Sequence, residues 1–364
     1  MKRNKCMNPV LRKRERALLL MVIVLLQATS IRLIGAETSP SPVTLVSGRV
    51  EPHPVAIAGQ YVYWGEHGTG EVNRIGLNGQ NMTTISSGGW EPDGLMVDGG
   101  YVYWTDFIAG TVSKAPVTGG AVTVLATQQN FPWAILVYEG YVYWAESQEG
   151  NINRLPVDGG SVESLVKGSY GIADFAIYDG YIYWTEGFTQ GGDVSFINRV
   201  PLQGGIGTHF ANALKPWSMV IRGDELFWTE YRWGGVRKIS LTTGQFKSIY
   251  NHTAPNDEYT ITADDQNIYW TERVSGKIMG APLSGDSVFT VASNQTDPYG
   301  IATDGTHLVW TDAGAGTVEL LNLQPTTVAE PYLTVIIIAI AIITLAGIAT
   351  YRLKHARSRP VSKS

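Results

Sequence analysis

Seven tryptophans at near-constant intervals constrain this chain more than any other feature. Tyr61-Val62-Tyr63-Trp64, Tyr101-Val102-Tyr103-Trp104, Tyr141-Val142-Tyr143-Trp144 and Tyr181-Ile182-Tyr183-Trp184 recur every 40 residues without a gap. The series continues as Leu226-Phe227-Trp228, Ile268-Tyr269-Trp270 and Leu308-Val309-Trp310, so the intervals are 40, 40, 40, 44, 42 and 40 residues. The same unit surrounds each tryptophan. A short apolar strand such as Gly94-Leu95-Met96-Val97 comes first, then a turn (Asp98-Gly99), the Tyr/Trp strand, and an acidic residue opening a loop. A third strand (Thr111 to Lys114), a Gly119-Gly120 turn and a fourth strand (Val122 to Leu125) complete it. Four short strands in such a period make one blade of a β-propeller. The Tyr/Trp strand is large and apolar on both alternate faces, which predicts a strand sandwiched between two other blades. Its tryptophans therefore read as inter-blade core.

The ends of the repeat predict how the ring closes. The last unit has three strands and stops near Leu323, while Thr44-Leu45-Val46-Ser47-Gly48 aligns with Thr84-Ile85-Ser86-Ser87-Gly88 one period later. The N-terminal segment should then supply the outer strand of blade seven, a clasp that covers otherwise exposed edges. The expected fold class is all-β: a seven-bladed propeller of four-stranded blades over residues 43–323, closed by an N-terminal clasp strand, plus one C-terminal transmembrane helix.

Thr105-Asp106, Thr185-Glu186, Thr229-Glu230, Thr271-Glu272 and Thr311-Asp312 follow their tryptophans directly, and Tyr103-Trp104-Thr105-Asp106 is a literal YWTD. On these residues the body resembles the YWTD propellers of the low-density-lipoprotein receptor family (class B-like repeats). It looks closest to their prokaryotic receptor-related-protein-1-like relatives. The resemblance implies the propeller fold and a habit of binding proteins or peptides on one face. Two departures limit it: receptor-family propellers have six blades and are followed by cysteine-rich modules, whereas this chain shows seven repeats and a single Cys6. Lipoprotein binding and endocytosis are therefore not carried over.

Both chain ends read as membrane signals. Residues 1–16 carry seven Lys/Arg, and Ala17 to Ala28 is apolar apart from Gln27. Residues 1–36 are thus a signal peptide or an uncleaved signal anchor, followed by a linker at 37–42. After a second linker at 324–332, Leu333 to Thr350 is 18 residues without a charge, with Tyr332 and Tyr351 at its borders. Residues 333–351 read as a transmembrane helix with a basic cytoplasmic tail at 352–364. A cleaved sorting signal is the alternative. Either reading puts the propeller on the extracytoplasmic side of the cell membrane.

Charge narrows the partners. Residues 43–323 hold 29 Asp+Glu against 14 Lys+Arg, a net charge of -15. So acidic a body excludes nucleic acid as a partner. Without cysteine the body has neither disulfides nor a thiolate metal site. No cofactor is expected. The repeated acids Glu66, Asp106, Glu146, Glu186, Glu230, Glu272 and Asp312 could form a cation ring, but appearance in every blade favours loop anchoring.

The candidate site lies on the top face, where the loops are longer than the minimal bottom turns. Eleven residues before each repeat tryptophan, near the channel mouth, stand His53, Asp93, Trp133, Ala173, Trp217, Tyr259 and Tyr299. Neighbouring top loops add Trp90, Glu91, Phe107, Phe131, Asp174, Phe188, Tyr231 and Trp233, and blade four carries the longest insertion, Gly187 to Ser195. Exposed Trp and Tyr among carboxylates suit a peptide, protein or glycan ligand; the competing reading is that these rings plug the channel. The resulting expectation is a membrane-anchored binding propeller with no catalytic residues. Two alternatives stay open. One is a metal-assisted lyase or hydrolase at the channel mouth, for which seven-bladed streptogramin lyases give precedent and His53 and His67, near Glu51 and Glu66, are the candidates. The other is a self-associating surface coat.

Overall fold

The computed structural model describes residues 41–169, 171–187, 195–231, 235–251 and 258–323. The signal-segment reading at 1–36, the linker at 324–332, the transmembrane reading at 333–351, the tail at 352–364, and most of the Gly187 to Ser195 insertion lie outside these residues. Among the described residues no helix is long and apolar enough to cross a membrane.

Seven four-stranded antiparallel sheets follow one another along the chain. In the second blade the strands are Pro92–Asp98, Tyr101–Asp106, Thr111–Pro116 and Thr123–Ala126, running from the inner to the outer edge. In blades two to four the short turn between first and second strands has positive φ at both central residues, as at Asp179 (46°) and Gly180 (74°). Such turns match the twist of the strands they join. In the seventh sheet Val43–Val46 pairs antiparallel with Thr317–Asn322, placing Val43 opposite Leu320 and Thr44 opposite Glu319.

The repeat tryptophans are core. Their exposures run from 0 to 5%, and each packs against a residue of the adjacent blade. Tyr63 meets Trp104, Tyr103 meets Trp144, Tyr143 meets Trp184, Tyr183 meets Trp228, Phe227 meets Trp270 and Tyr269 meets Trp310. Val309 with Trp64 closes the ring. Six of the seven junctions thus bury an aromatic pair, and the seventh buries a tryptophan against Val309, each a large hydrophobic gain.

Register explains how the inner strands shape the channel. In every blade the first residue of the inner strand faces the repeat acid (Pro92 with Asp106, for example), after which pairing slips and resumes three residues later. The two intervening residues have no partner on the second strand. A threonine hydroxyl takes over instead. Thr105 Oγ1 accepts from Gly94 N (2.9 Å) and donates to Trp133 O of the next blade (2.6 Å). Thr185, Thr229, Thr271 and Thr311 repeat this arrangement, and Thr311 donates to His53 O (2.7 Å) across the ring closure. Two blades lack the threonine: blade three has Ala145, and blade one has Gly65 with Pro54, which has no N–H, in the slipped segment. A Cβ on Gly65 would stand 2.8 Å from Pro92 Cγ, so only glycine fits there.

Thr229 is fully buried, so Thr229→Val strands both Ser218 N and Tyr259 O. Denaturant unfolding should show a loss of about 1–3 kcal/mol for the valine variant and clearly less for Thr229→Ser. Equal losses for the two would mean that the hydroxyl does not carry the junction.

Candidate functional site

The slipped segments turn the residue eleven before each tryptophan toward the mouth of the channel, a common use of bulges beside functional sites. An unbroken run of rings results. Phe131 lies 4.8 Å from Phe107, Phe107 5.5 Å from Trp133, and Trp133 meets Trp217 edge to face at 5.7 Å. Trp217 continues to Tyr259 (4.7 Å), Tyr259 to Tyr299 (4.4 Å), Tyr299 stacks on His53 (3.7 Å, 12°), and His53 reaches His67 (3.6 Å).

The two ends of this arc differ in character. At the tryptophan end, the residue between Trp133 and Trp217 in the ring of mouth positions is Ala173. Its small side chain leaves an apolar cleft of about 270 Å³ lined by Phe107, Trp133, Ile172, Ala173 and Trp217, with Ser147 and Gln148 at its polar side. Trp133 and Trp217 are half-buried and present ring surface to it. The cleft adjoins the channel, a cavity of about 190 Å³ whose wall includes Asp93, Asp174, Ser218, Tyr259 and Tyr299.

At the tyrosine end the rings are closed in. Tyr259 and Tyr299 are 6% and 8% exposed, and their hydroxyls share a 2.7 Å hydrogen bond. Arg273 sits 5.0 Å over both rings and is held bidentately by Asp297 at 2.5 and 2.6 Å. Burial pushes both phenols well above their usual range, so both keep their protons. The expectation that these two tyrosines offer exposed contact surface is corrected: a desolvated hydroxyl pair needs its own partner, and they form the floor of the mouth.

His67 Nε2 lies 3.1 Å from His53 Nδ1 and 2.6 Å from Asp93 Oδ1. Burial, then the nearby charges of His67 and Arg273, lowers His53 to about 2, so its ring is neutral. Burial raises Asp93, opposed by its contact with His67. The carboxylate beside the two histidines is therefore Asp93 of the next blade and not Glu51 or Glu66. Glu66 turns inward instead, accepting from Trp64 Nε1 (2.9 Å) and Asn73 Nδ2 (3.0 Å) and pairing with Arg49 (2.7 Å).

The other repeat acids also anchor loops. Asp106 accepts from the backbone N–H groups of Trp90, Glu91 and Ala109, and Asp312 from those of Thr296, Asp297 and Ala315. Glu146 and Glu230 take Asn130 N and Leu214 N, and Glu186 takes Asn198 Nδ2. Trp90 is 65% exposed, and among the described residues it makes no ring contact. Glu91 holds the loop through its backbone, its carbonyl accepting from Phe107 N (2.8 Å). Trp233 and Phe188 lie outside the described residues. Asp174 faces the channel but is occupied, accepting from Phe175 N, Ser218 Oγ and Met219 N at 2.8 to 3.0 Å.

Comparison with known proteins adds the fold's relatives. No protein-family model matches the chain, and no curated protein matches it. Among solved structures, virginiamycin B lyase from Staphylococcus aureus superposes with a TM-score of 0.67 at 19% identity, covering 78% of this chain and 99% of the lyase. A streptogramin B lyase gives 0.66 at 20% identity, covering 78% and 97%. A chain of the nidogen/laminin complex gives 0.52 at 20% identity, covering 64% and 95%. The likeness is one of fold. It joins an enzyme and a protein-binding propeller to the same architecture and decides between neither.

Burial raises the Asp174 carboxyl from the ordinary 3.8 to about 6. A raised folded-state pKa contributes stability that is complete below the unfolded value of 3.8 and is lost as pH rises through about 6. Wild type should therefore lose stability relative to Asp174→Asn between about pH 4 and pH 7, by at most roughly 1.4 kcal/mol per pH unit. Denaturant titrations across that range check it; a gap independent of pH would contradict it.

Proposed function

We propose that this chain is a binding propeller held at the outer surface of the cell membrane, taking a peptide, protein or glycan at its top mouth. The observation that carries this reading is the apolar cleft between two half-buried indoles beside a polar channel. A planar or apolar group of the ligand, such as an aromatic side chain or a sugar face, would enter between Trp133 and Trp217. Indoles bring large contact area with little conformational cost, which is why they dominate binding hot spots. The rim supplies polar groups from Ser147 and Gln148, and the exposed Trp90 extends the surface.

Membrane geometry supports the choice of face. The last described strand ends at Asn322 on the bottom side, and nine residues separate Leu323 from the apolar run that begins at Leu333. On this reading the Val43–Val46 strand is the clasp, the bottom turns face the bilayer and the mouth faces outward. Related architectures take ligands of both sizes: a catalytically inactive virginiamycin B lyase was solved with quinupristin, and the nidogen/laminin structure is a complex of two proteins.

Catalysis at the same mouth is the second reading, favoured by the His53, His67 and Asp93 contact. It places chemistry at the tyrosine end of the arc, away from the cleft.

The test compares the full chain with Trp133→Ala and Trp217→Ala on glycan and peptide arrays and against cell extract. Each variant should fold normally and lose roughly 30-fold or more in affinity for whatever the wild type captures. Capture unaffected by either substitution would sink the reading. Turnover of captured material that His53→Ala abolishes would move the assignment to the enzyme.

A further inference from the structure

We infer that His53, His67 and Asp93 form a binding site for one divalent transition-metal ion of the zinc and cobalt class at the channel mouth. His53 Nδ1, His67 Nε2 and a carboxylate oxygen of Asp93 all lie within 4.8 Å of one another. They come from three separate places: the inner strand of blade one, the loop after its second strand, and the inner strand of blade two. His53 and Asp93 are equivalent positions of adjacent blades, so the fold itself brings them together.

The hydrogen bonding in the cluster is incomplete without a cation. His67 Nε2 is the contact point for both His53 Nδ1 (3.1 Å) and Asp93 Oδ1 (2.6 Å). One proton on that nitrogen can serve one neighbour well and not both. Apart from this contact, the Asp93 carboxylate is stranded: neither oxygen is exposed and neither receives a well-formed hydrogen bond. A buried carboxylate in that position calls for a positive charge. A central cation would take one lone pair from each group and satisfy all three.

The donor chemistry selects the ion. Two imidazoles and one carboxylate suit borderline metals such as Zn²⁺ and Co²⁺, whereas Mg²⁺ and Ca²⁺ prefer oxygen alone. Three protein ligands leave a coordination position open, and Asp93 lines the channel cavity from which water or a ligand group would fill it. The surroundings hold the donors in place. His53 O is fixed by Thr311, His67 N donates to Glu51 O (3.0 Å), and the His53 ring stacks on Tyr299. Arg273, whose charge bears on His53, is paired with Asp297. This site stands apart from the Trp133/Trp217 cleft, so it holds or fails independently of the binding proposal.

The experiment uses the full chain in detergent, free of any polyhistidine tag and stripped with a chelator. Zn²⁺ affinity is read by competition with a chromophoric chelator, and Co²⁺ by its visible d–d absorption. Wild type should bind one equivalent of each, with little response to Mg²⁺. Asp93→Asn and His67→Gln should each weaken binding by roughly 100-fold and change the Co²⁺ spectrum, while His209→Gln and His307→Gln should leave both unaltered. If a ligand variant fails to fold, imidazole ¹⁵N shifts of the wild type on adding Zn²⁺ decide the matter: two shifted rings are expected. Absence of binding, a Mg²⁺ preference, or binding that survives Asp93→Asn would overturn the assignment.

Discussion

Each inner strand slips its register after the first residue, and in five of the seven blades the backbone groups that the slip releases are taken up by the threonine that follows the repeat tryptophan. That hydroxyl accepts from its own blade and donates to the next, so a single side chain satisfies a bulge and joins two sheets. Buried backbone groups left over would otherwise cost free energy at every junction. The approach is close: a Cβ on Gly300 would stand 2.2 Å from His53 O. The slip also aims the mouth residue into the channel. Blades one and three keep the same slip with Gly65 and Ala145 in the threonine's place.

Around this junction the repeat divides its work. The tryptophan and the residue before it fill the space between blades, and the acid after the threonine fastens the top loop to backbone N–H groups. These roles recur around the ring with local exceptions: Gly65 and Ala145 replace the threonine, and Glu186 and Glu272 take side-chain partners instead. Function must then come from what varies, and the variation is concentrated eleven residues before each tryptophan. Ala173 opens a cleft between two indoles, Tyr259 and Tyr299 close the floor, and His53 with Asp93 gathers donor atoms on one side. A regular scaffold thus presents an irregular mouth, as propellers allow because each blade is nearly independent of the rest.

Much of this was legible in the sequence because period is a property of the chain itself. The intervals between tryptophans set the blade count, and the alternation in each Tyr/Trp strand set its burial. The mouth positions could be named for the same reason. What could not be read was how those side chains meet. The pairing of His67 with Asp93 crosses between blades, and counting residues brings His67 nearest to Glu66, whose carboxylate is spent on Trp64 and Asn73. Tyr259 and Tyr299 look like contact surface as letters, yet a hydroxyl–hydroxyl bond under Arg273 buries them. The cleft was hidden for a different reason. It is made by the smallness of Ala173, and an absence of volume leaves no motif.

Hydrogen exchange on the full chain, with and without the material it captures, tests the central claim most directly. Ligand binding at the mouth should slow exchange in residues 107–109, 131–135 and 215–219, which border the cleft, and leave the outer strands unchanged. Protection confined to the outer strands at residues 83–86, 123–126 and 163–166 would contradict the account and point to a chain that associates through its sides.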